Sequence, residues 1–390
     1  MIDIQNQYRL LFAAIYFAIG ALYSLLALYL EQIGFTGTQI GLVMSAGSLM
    51  LIFAQPLWGL ICDKTRRTVA VLKVSLLIAG CLALFLPFIR SYVPFLLLYS
   101  LVHIFQGANA PISDTLGIKA AAKLNLTFGN FRQYGAIGFA IAVFTVSNVS
   151  EWVGLWVIFP FYFMAYLAAV ITFRQKEEVN EEMRVALLPG LKKLIVLPRY
   201  RLILLGTFFV FGPVVANNNY YSLLFEHVGG SLAGIGLAFL LFSGSEAPMM
   251  KLSGPIIQKL GLENTMIIAT ALSAARWIWY STGPSPKFML MMFIIQGLSV
   301  GLYIVSAAQY VSEAAVPELR TTAMTLYSSA GIGMGGIFCQ FIGGVLLDVS
   351  NILSVYLFFG LSTLAGLAVL IYLKIIDRKL PVKAGVSAAG

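Results

Sequence analysis

Residues 111–139, PISDTLGIKAAAKLNLTFGNFRQYGAIGF, carry the reading that decides the fold. Asp114 and Arg132 lie eighteen residues apart, inside two of the most apolar stretches of the chain. The pattern is that of one membrane helix ending and the next beginning. If each charge sits about two turns from the same membrane face, the two come to similar depth, roughly 10 Å in at 1.5 Å per residue. An ionisable side chain inside a membrane helix costs roughly 2.5–3.5 kcal/mol on insertion scales, and by default it marks a substrate or ion pathway. The pair is therefore expected to bind a solute, or else to hold two helices together as a structural ion pair.

Composition agrees with a bilayer setting. The 390 residues are 59% hydrophobic and 11% charged, with a mean hydropathy of +0.89, whereas soluble domains are about 25% charged. Apolar runs near 20 residues long, enough to cross ~30 Å of hydrocarbon, lie at about 8–30, 38–61, 71–89, 93–116, 128–149, 152–173, 201–225, 231–251, 263–282, 286–311, 321–347 and 350–374. The expected fold class is thus all-α integral membrane, with twelve transmembrane helices.

The formal charge of +9 is spread by side of the membrane. Of 25 Lys and Arg, 21 fall in or beside the termini and even-numbered loops, Arg90 and Lys287 fall in odd-numbered loops, and Arg132 and Arg276 fall inside spans. This bias places both termini in the cytoplasm and argues against a nucleic-acid partner. The first span is too long for a signal-peptide core and no small-residue cleavage site follows it, so it is expected to stay in the mature chain. Cys62, Cys81 and Cys339 are scattered, without metal spacing, and read as apolar filler. No phosphate-binding loop or His/Cys cluster appears, so covalent chemistry is not expected.

Residues 174–200, RQKEEVNEEMRVALLPGLKKLIVLPRY, form the long charged stretch between the sixth and seventh spans. They divide the chain into an N-terminal bundle (1–173), a cytoplasmic linker (174–200) and a C-terminal bundle (201–390), as in transporters built from repeats with a mid-membrane site between them. The second span ends in QPLWGLICDKTRR, residues 55–67, which sets Gly59, Asp63, Lys64, Arg66 and Arg67 at the membrane edge. Glycine permits close helix approach there, and the acid can accept hydrogen bonds from a neighbouring helix end.

That stretch resembles the loop signature G-x-x-x-D-R-x-G-R-R of the major facilitator superfamily, with Arg66 where its second glycine is expected. The resemblance implies two pseudo-symmetric six-helix bundles, and a gating role for Gly59, Asp63, Lys64 and Arg67. FTGTQIGLVMSAGSLMLIFAQPLWGLICDK (35–64), GALYSLLALYL (20–30) and GNFRQYGAIGF (129–139) are similar to the lactose permease and phenylpropionate permease-like branch, which includes oligosaccharide/nucleoside:proton symporters. In that resemblance Arg132 falls on the substrate-binding arginine, Asp114 on a sugar-binding glutamate and Phe139 on a stacking tryptophan. Helical periodicity independently lets Arg132 and Phe139, seven residues apart, face one cavity.

Further polar residues extend the candidate site. His103, Gln106 and Asn109 are spaced by three and form a stripe; each alone could equally hydrogen-bond a neighbouring helix. ANNNYYSLLF (216–225) offers Asn217 and Tyr220, suited to a hydroxylated or aromatic solute or to an internally satisfied helix break. Glu246, in SGSEAPMMKLSGPIIQKLG, is the acid placed well inside the second-half spans, about 8 Å from the membrane edge, and Arg276 lies about 20 Å in. Both are assigned to proton coupling, with Glu246 as the carrier. Its E-x-P context and the register of Arg276 resemble the same branch, although the tenth-span histidine and glutamate of lactose permease are missing. GIGMGGIFCQFIGG (331–344) reads as close helix packing.

The expectation is a monomeric, proton-coupled symporter in the cytoplasmic membrane, surrounded by lipid and taking up a small polar or aromatic solute such as a sugar, nucleoside or aromatic acid. It needs no cofactor, the proton gradient being its energy source. A drug-efflux antiporter and a non-transporting membrane sensor or assembly partner remain the alternatives.

Overall fold

The computed structural model describes residues 3–126, 128–175, 198–315 and 320–379. The described chain is helical throughout, in the order α1 Ile4–Gln32, α2 Gly37–Thr65, α3 Thr68–Ala83, α4 Tyr92–Gln106, α5 Asn109–Lys123, α6 Gly129–Val153, α7 Ile158–Thr172, α8 Pro198–His227, α9 Leu232–Leu260, α10 Leu262–Tyr280, α11 Pro286–Ala314, α12 Arg320–Ser328, α13 Gly336–Val349 and α14 Ile352–Lys379. Helices α4 and α5 together make the fourth span. Pro111 explains their break: it has no N–H to give the carbonyl of Gly107, and its ring crowds that carbonyl. The eleventh span comprises α12, a π-helical turn over Ser329–Gly335, and α13.

Twelve spans result among the described residues, as expected. Eleven are long and apolar enough to cross a membrane; α10, at 19 residues, is short and holds Glu263 and Arg276. Large apolar side chains such as Phe53, Phe88, Leu97 and Trp152 are exposed on the outer surface. A surface this apolar suits lipid, and helices satisfy their own backbone groups there. Local signals fix several helix starts. Thr36 accepts from Gln39 N while Gln39 returns its amide oxygen to Thr36 N, a reciprocal cap on α2.

Each half begins and ends on one face. Gln7 at the start of α1 accepts from the backbone N of Arg174 at 2.9 Å, and Arg199 at the start of α8 pairs with Asp377 near the end of α14 at 2.7 Å. This is the near face below. The expected linker lies mostly outside the described residues, and α8 already covers Pro198–Tyr200 of it.

The halves are joined toward the far face. The Asp348 carboxylate of α13 accepts from Gly37 N at 2.5 Å and Thr38 N at 2.8 Å, capping α2 from the opposite half. Ser45 and Ser48 donate to Ile337 O and Gln340 Oε1, both at 3.1 Å. Glycine lets these backbones meet, since a Cβ on Gly344 would lie 2.4 Å from Gly37 O. Helix α9 packs on α6 in the same way, with Gly236 against Phe144.

Candidate solute and proton site

Arg132 lies three residues inside α6, roughly 5 Å from its near end, while Asp114 is nine residues from the end of α5, roughly 13 Å in. Counted from the helix ends the two differ, yet they stay within electrostatic range of each other. The Arg132 Cζ lies 4.1 Å from the Tyr16 ring centroid on α1, a cation–π contact. Gly135, one turn on, leaves room for it: a Cβ there would meet Nη1 at 2.9 Å. Among the described residues no carboxylate is within ion-pair distance of Arg132. The buried Asp114 Oδ1 has no hydrogen-bond partner, and Tyr16 stands within electrostatic range of both charges.

The second half supplies the other wall. Phe139 of α6 meets Phe239 of α9 edge-on, with centroids 5.9 Å apart. Seven residues nearer the near face on each helix stand Arg132 and Glu246, which are within electrostatic range of each other. Two turns restore the same helix face, so the aromatic contact roofs a charged site shared by the halves.

Glu246 lies farther from its helix end than its apolar run suggests. Helix α9 continues through Pro255 to Leu260, which puts Glu246 fourteen residues, about 21 Å, from the near end. Arg276, fourteen residues into α10, is level with it. The two nonetheless do not meet. Arg276 points into the C-terminal bundle, where its Nη1 donates to Gln296 Oε1 at 2.5 Å. The charge facing Glu246 is Arg132, so the expected Glu246/Arg276 grouping is replaced by one that spans the halves.

Three expected solute ligands are used inside the N-terminal bundle instead. His103 Nδ1 lies 2.9 Å from Tyr99 O, so that nitrogen carries the proton and Nε2 accepts from the Tyr23 hydroxyl at 2.8 Å. Gln106 donates to Tyr23 at 3.0 Å and accepts from Tyr162 at 2.8 Å. Asn109 Oδ1 accepts from Ser75 at 3.0 Å. All three are buried. A spacing of three does make one stripe, but α1, α3 and α7 cover it. In the other half, Tyr220 donates to Gln340 O at 2.6 Å beside the α2–α13 crossing, and Asn217 Oδ1 accepts from Tyr356 at 2.8 Å. Both are buried within the bundle.

At the α2–α3 turn, Arg66 itself adopts the left-handed conformation, φ 55° and ψ 22°. The missing glycine therefore does not abolish the tight turn. Lys64 and Arg67 are exposed and Gly59 has open space around it, while the Asp63 side chain lies outside the described residues. Sequence reasoning missed Tyr16, Gly135 and Phe239. Of these only Gly135 had a local signal, a glycine one turn beyond an arginine in an apolar stretch.

Two six-helix halves, joined toward one face and sharing a charged group between them, define a polytopic solute transporter. The chain belongs to the MFS_1 like family, which matches residues 4–358. It is 38% identical over 368 residues to the maltose permease of Geobacillus stearothermophilus, covering 94% of this chain and 93% of that protein. It is 24% identical over 329 residues to the lactose permease of Citrobacter freundii, covering 75% and 76%. The solved structure of the nucleoside transporter NupG superposes with a TM-score of 0.84 over 96% of this chain and 99% of that one; at 15% identity this likeness is one of fold. The protein is thus a major facilitator transporter of a small-molecule solute and not an enzyme.

Proposed function

We propose that the protein is a monomeric proton-coupled symporter in the cytoplasmic membrane, with both termini in the cytoplasm, taking up a hydroxylated solute of the maltose class. The observation that carries this reading is the shared site: Arg132 and Asp114 from one half and Glu246 from the other, under Phe139 and Phe239. A guanidinium without a contacting carboxylate offers its donor fork to hydroxyls, and aromatic faces suit the apolar faces of a sugar ring. The likeness to a maltose permease favours this solute over a nucleoside or aromatic acid. The guanidinium attracts a Glu246 carboxylate but not the protonated acid. Rocking of the halves, which changes the Arg132–Glu246 distance, is thereby linked to protonation. Proton entry on the far side and release on the near side then drives uptake.

The test is transport by the full-length protein in liposomes. Wild type is expected to accumulate maltose under an imposed pH gradient, in preference to lactose, uridine and phenylpropionate. Arg132→Lys, which keeps charge but loses the fork, is expected to reduce uptake by at least ~100-fold, two lost charge-assisted hydrogen bonds at ~1.5 kcal/mol each. Glu246→Gln should exchange solute across the membrane yet fail to concentrate it. Concentration of maltose by Glu246→Gln liposomes rejects the coupling role, and normal affinity in Arg132→Lys rejects the binding role. An impermeant reagent in cells should label a cysteine at Ser231 and not one at Gln175; the reverse pattern overturns the orientation.

A further inference from the structure

Arg276 is 2% exposed and lies at mid-span in α10. Its guanidinium rests on Trp277, with Cζ 3.6 Å from the ring centroid, and near the Tyr280 ring at 5.4 Å. Nη1 donates to Gln296, and the Tyr280 hydroxyl lies within hydrogen-bonding reach of the guanidinium, while Nε and Nη2 are buried without a well-formed hydrogen bond. No carboxylate is within ion-pair distance among the described residues, and the groups in electrostatic range are the phenols of Tyr280, Tyr356 and Tyr221. Neutral phenols do not balance a full charge. Tyr280 and Tyr356 donate their own protons to Met289 O at 3.2 Å and Asn217 Oδ1 at 2.8 Å, so toward the guanidinium they are neutral acceptors only.

Several buried donors of the C-terminal half lack acceptors, alongside the unpartnered amide oxygens of Asn218 and Asn219 on α8. Gln296 Nε2 and Asn217 Nδ2 are buried donors without acceptors, and the Tyr221 hydroxyl is likewise unpartnered. An interior with one positive charge, surplus N–H groups and no counter-charge is among the costliest arrangements a fold can keep. Water could accept from these donors but would not neutralise the charge. The aromatic side chains of Tyr221, Phe293, Tyr280 and Trp277 pack closely around it, so whatever enters must be small.

We propose that the C-terminal half binds a small monovalent inorganic anion of halide size, held by Arg276 Nε and Nη2 with the Gln296 amide and Tyr221 hydroxyl as the nearest further donors. This site is separate from the Arg132–Glu246 group, and it does not depend on which solute is carried. Bound anion neutralises Arg276 and lets α8, α10, α11 and α14 close on one another.

The test is thermal unfolding of the full-length protein in detergent, at constant pH and ionic strength, with chloride replaced stepwise by gluconate. The wild-type midpoint should rise saturably with chloride, and with bromide, relative to gluconate. Gln296→Glu places a carboxylate beside Nη1; it should unfold at higher temperature than wild type in gluconate and lose the chloride response. Arg276→Gln should also be insensitive to the anion, and if it does not fold the Gln296→Glu result still decides. Equal wild-type midpoints in chloride and gluconate overturn the proposal. So does a chloride response that Gln296→Glu retains, or one that never saturates, since either reports a general salt effect. Because no transport is measured, failure here is distinct from failure of the symport reading.

Discussion

The two bundles bury polar clusters that differ in charge. In the N-terminal half, Tyr162, Gln106, Tyr23, His103 and the Tyr99 carbonyl form a directed chain in which each link donates to the next. In the C-terminal half, Asn217, Tyr221, Arg276 and Gln296 keep donors without acceptors around a positive charge. The N-terminal chain is neutral and binds helices to each other, with the Tyr99 hydroxyl and Asn109 Nδ2 beside it left unpartnered. The charged cluster has capacity for something further. Polar content alone therefore does not mark a site in a membrane protein; the balance of charge does.

The comparison can be broken first at Gln106. Gln106→Leu deletes two hydrogen bonds and leaves the buried Tyr162 hydroxyl without its acceptor, an expected loss of about 2–3 kcal/mol. Denaturant titration in detergent measures it. Transport per folded molecule should be unchanged; a stable variant with lost transport would move this network into the solute path and undo the contrast.

The turns after the second and eighth spans give the next test. Gly261 holds φ 82° and ψ 161°, a region open to glycine, so Gly261→Ala should destabilise by about 1–2 kcal/mol. Its counterpart in the first half uses Arg66 at φ 55°. A smaller effect is expected within the open cluster. Tyr356→Phe removes the hydroxyl bonded to Asn217 and should cost about 0.6 kcal/mol, the average for interhelical hydrogen bonds in membranes. A loss as large as that of Gln106→Leu would show that the C-terminal cluster is equally structural. The smallest change expected is a gain: Arg66→Gly relieves a left-handed arginine but frees the unfolded chain, for a net stabilisation of about 0.5 kcal/mol. An unaltered or lower midpoint would mean that the turn holds no strain.

Sequence by itself determined the number of spans, their two-half grouping and the bundle to which each buried charge belongs. These follow from quantities that run along the chain: apolar length against bilayer thickness, and the side on which Lys and Arg collect. Asp114, Arg132 and Glu246 were legible because a charge in an apolar run is conspicuous wherever the helix points. What the tertiary structure decided was direction and depth. His103, Gln106 and Asn109 share a stripe in either reading, and only the packing of α1, α3 and α7 shows that the stripe faces protein. Glu246 is fourteen residues from its helix end because α9 runs on past its apolar stretch to Leu260, and it comes within range of Arg132 where the contact of Phe139 with Phe239 aligns α6 and α9 from different halves. The angle of a side chain about its helix axis is set by what packs against that helix, often from a segment more than a hundred residues away.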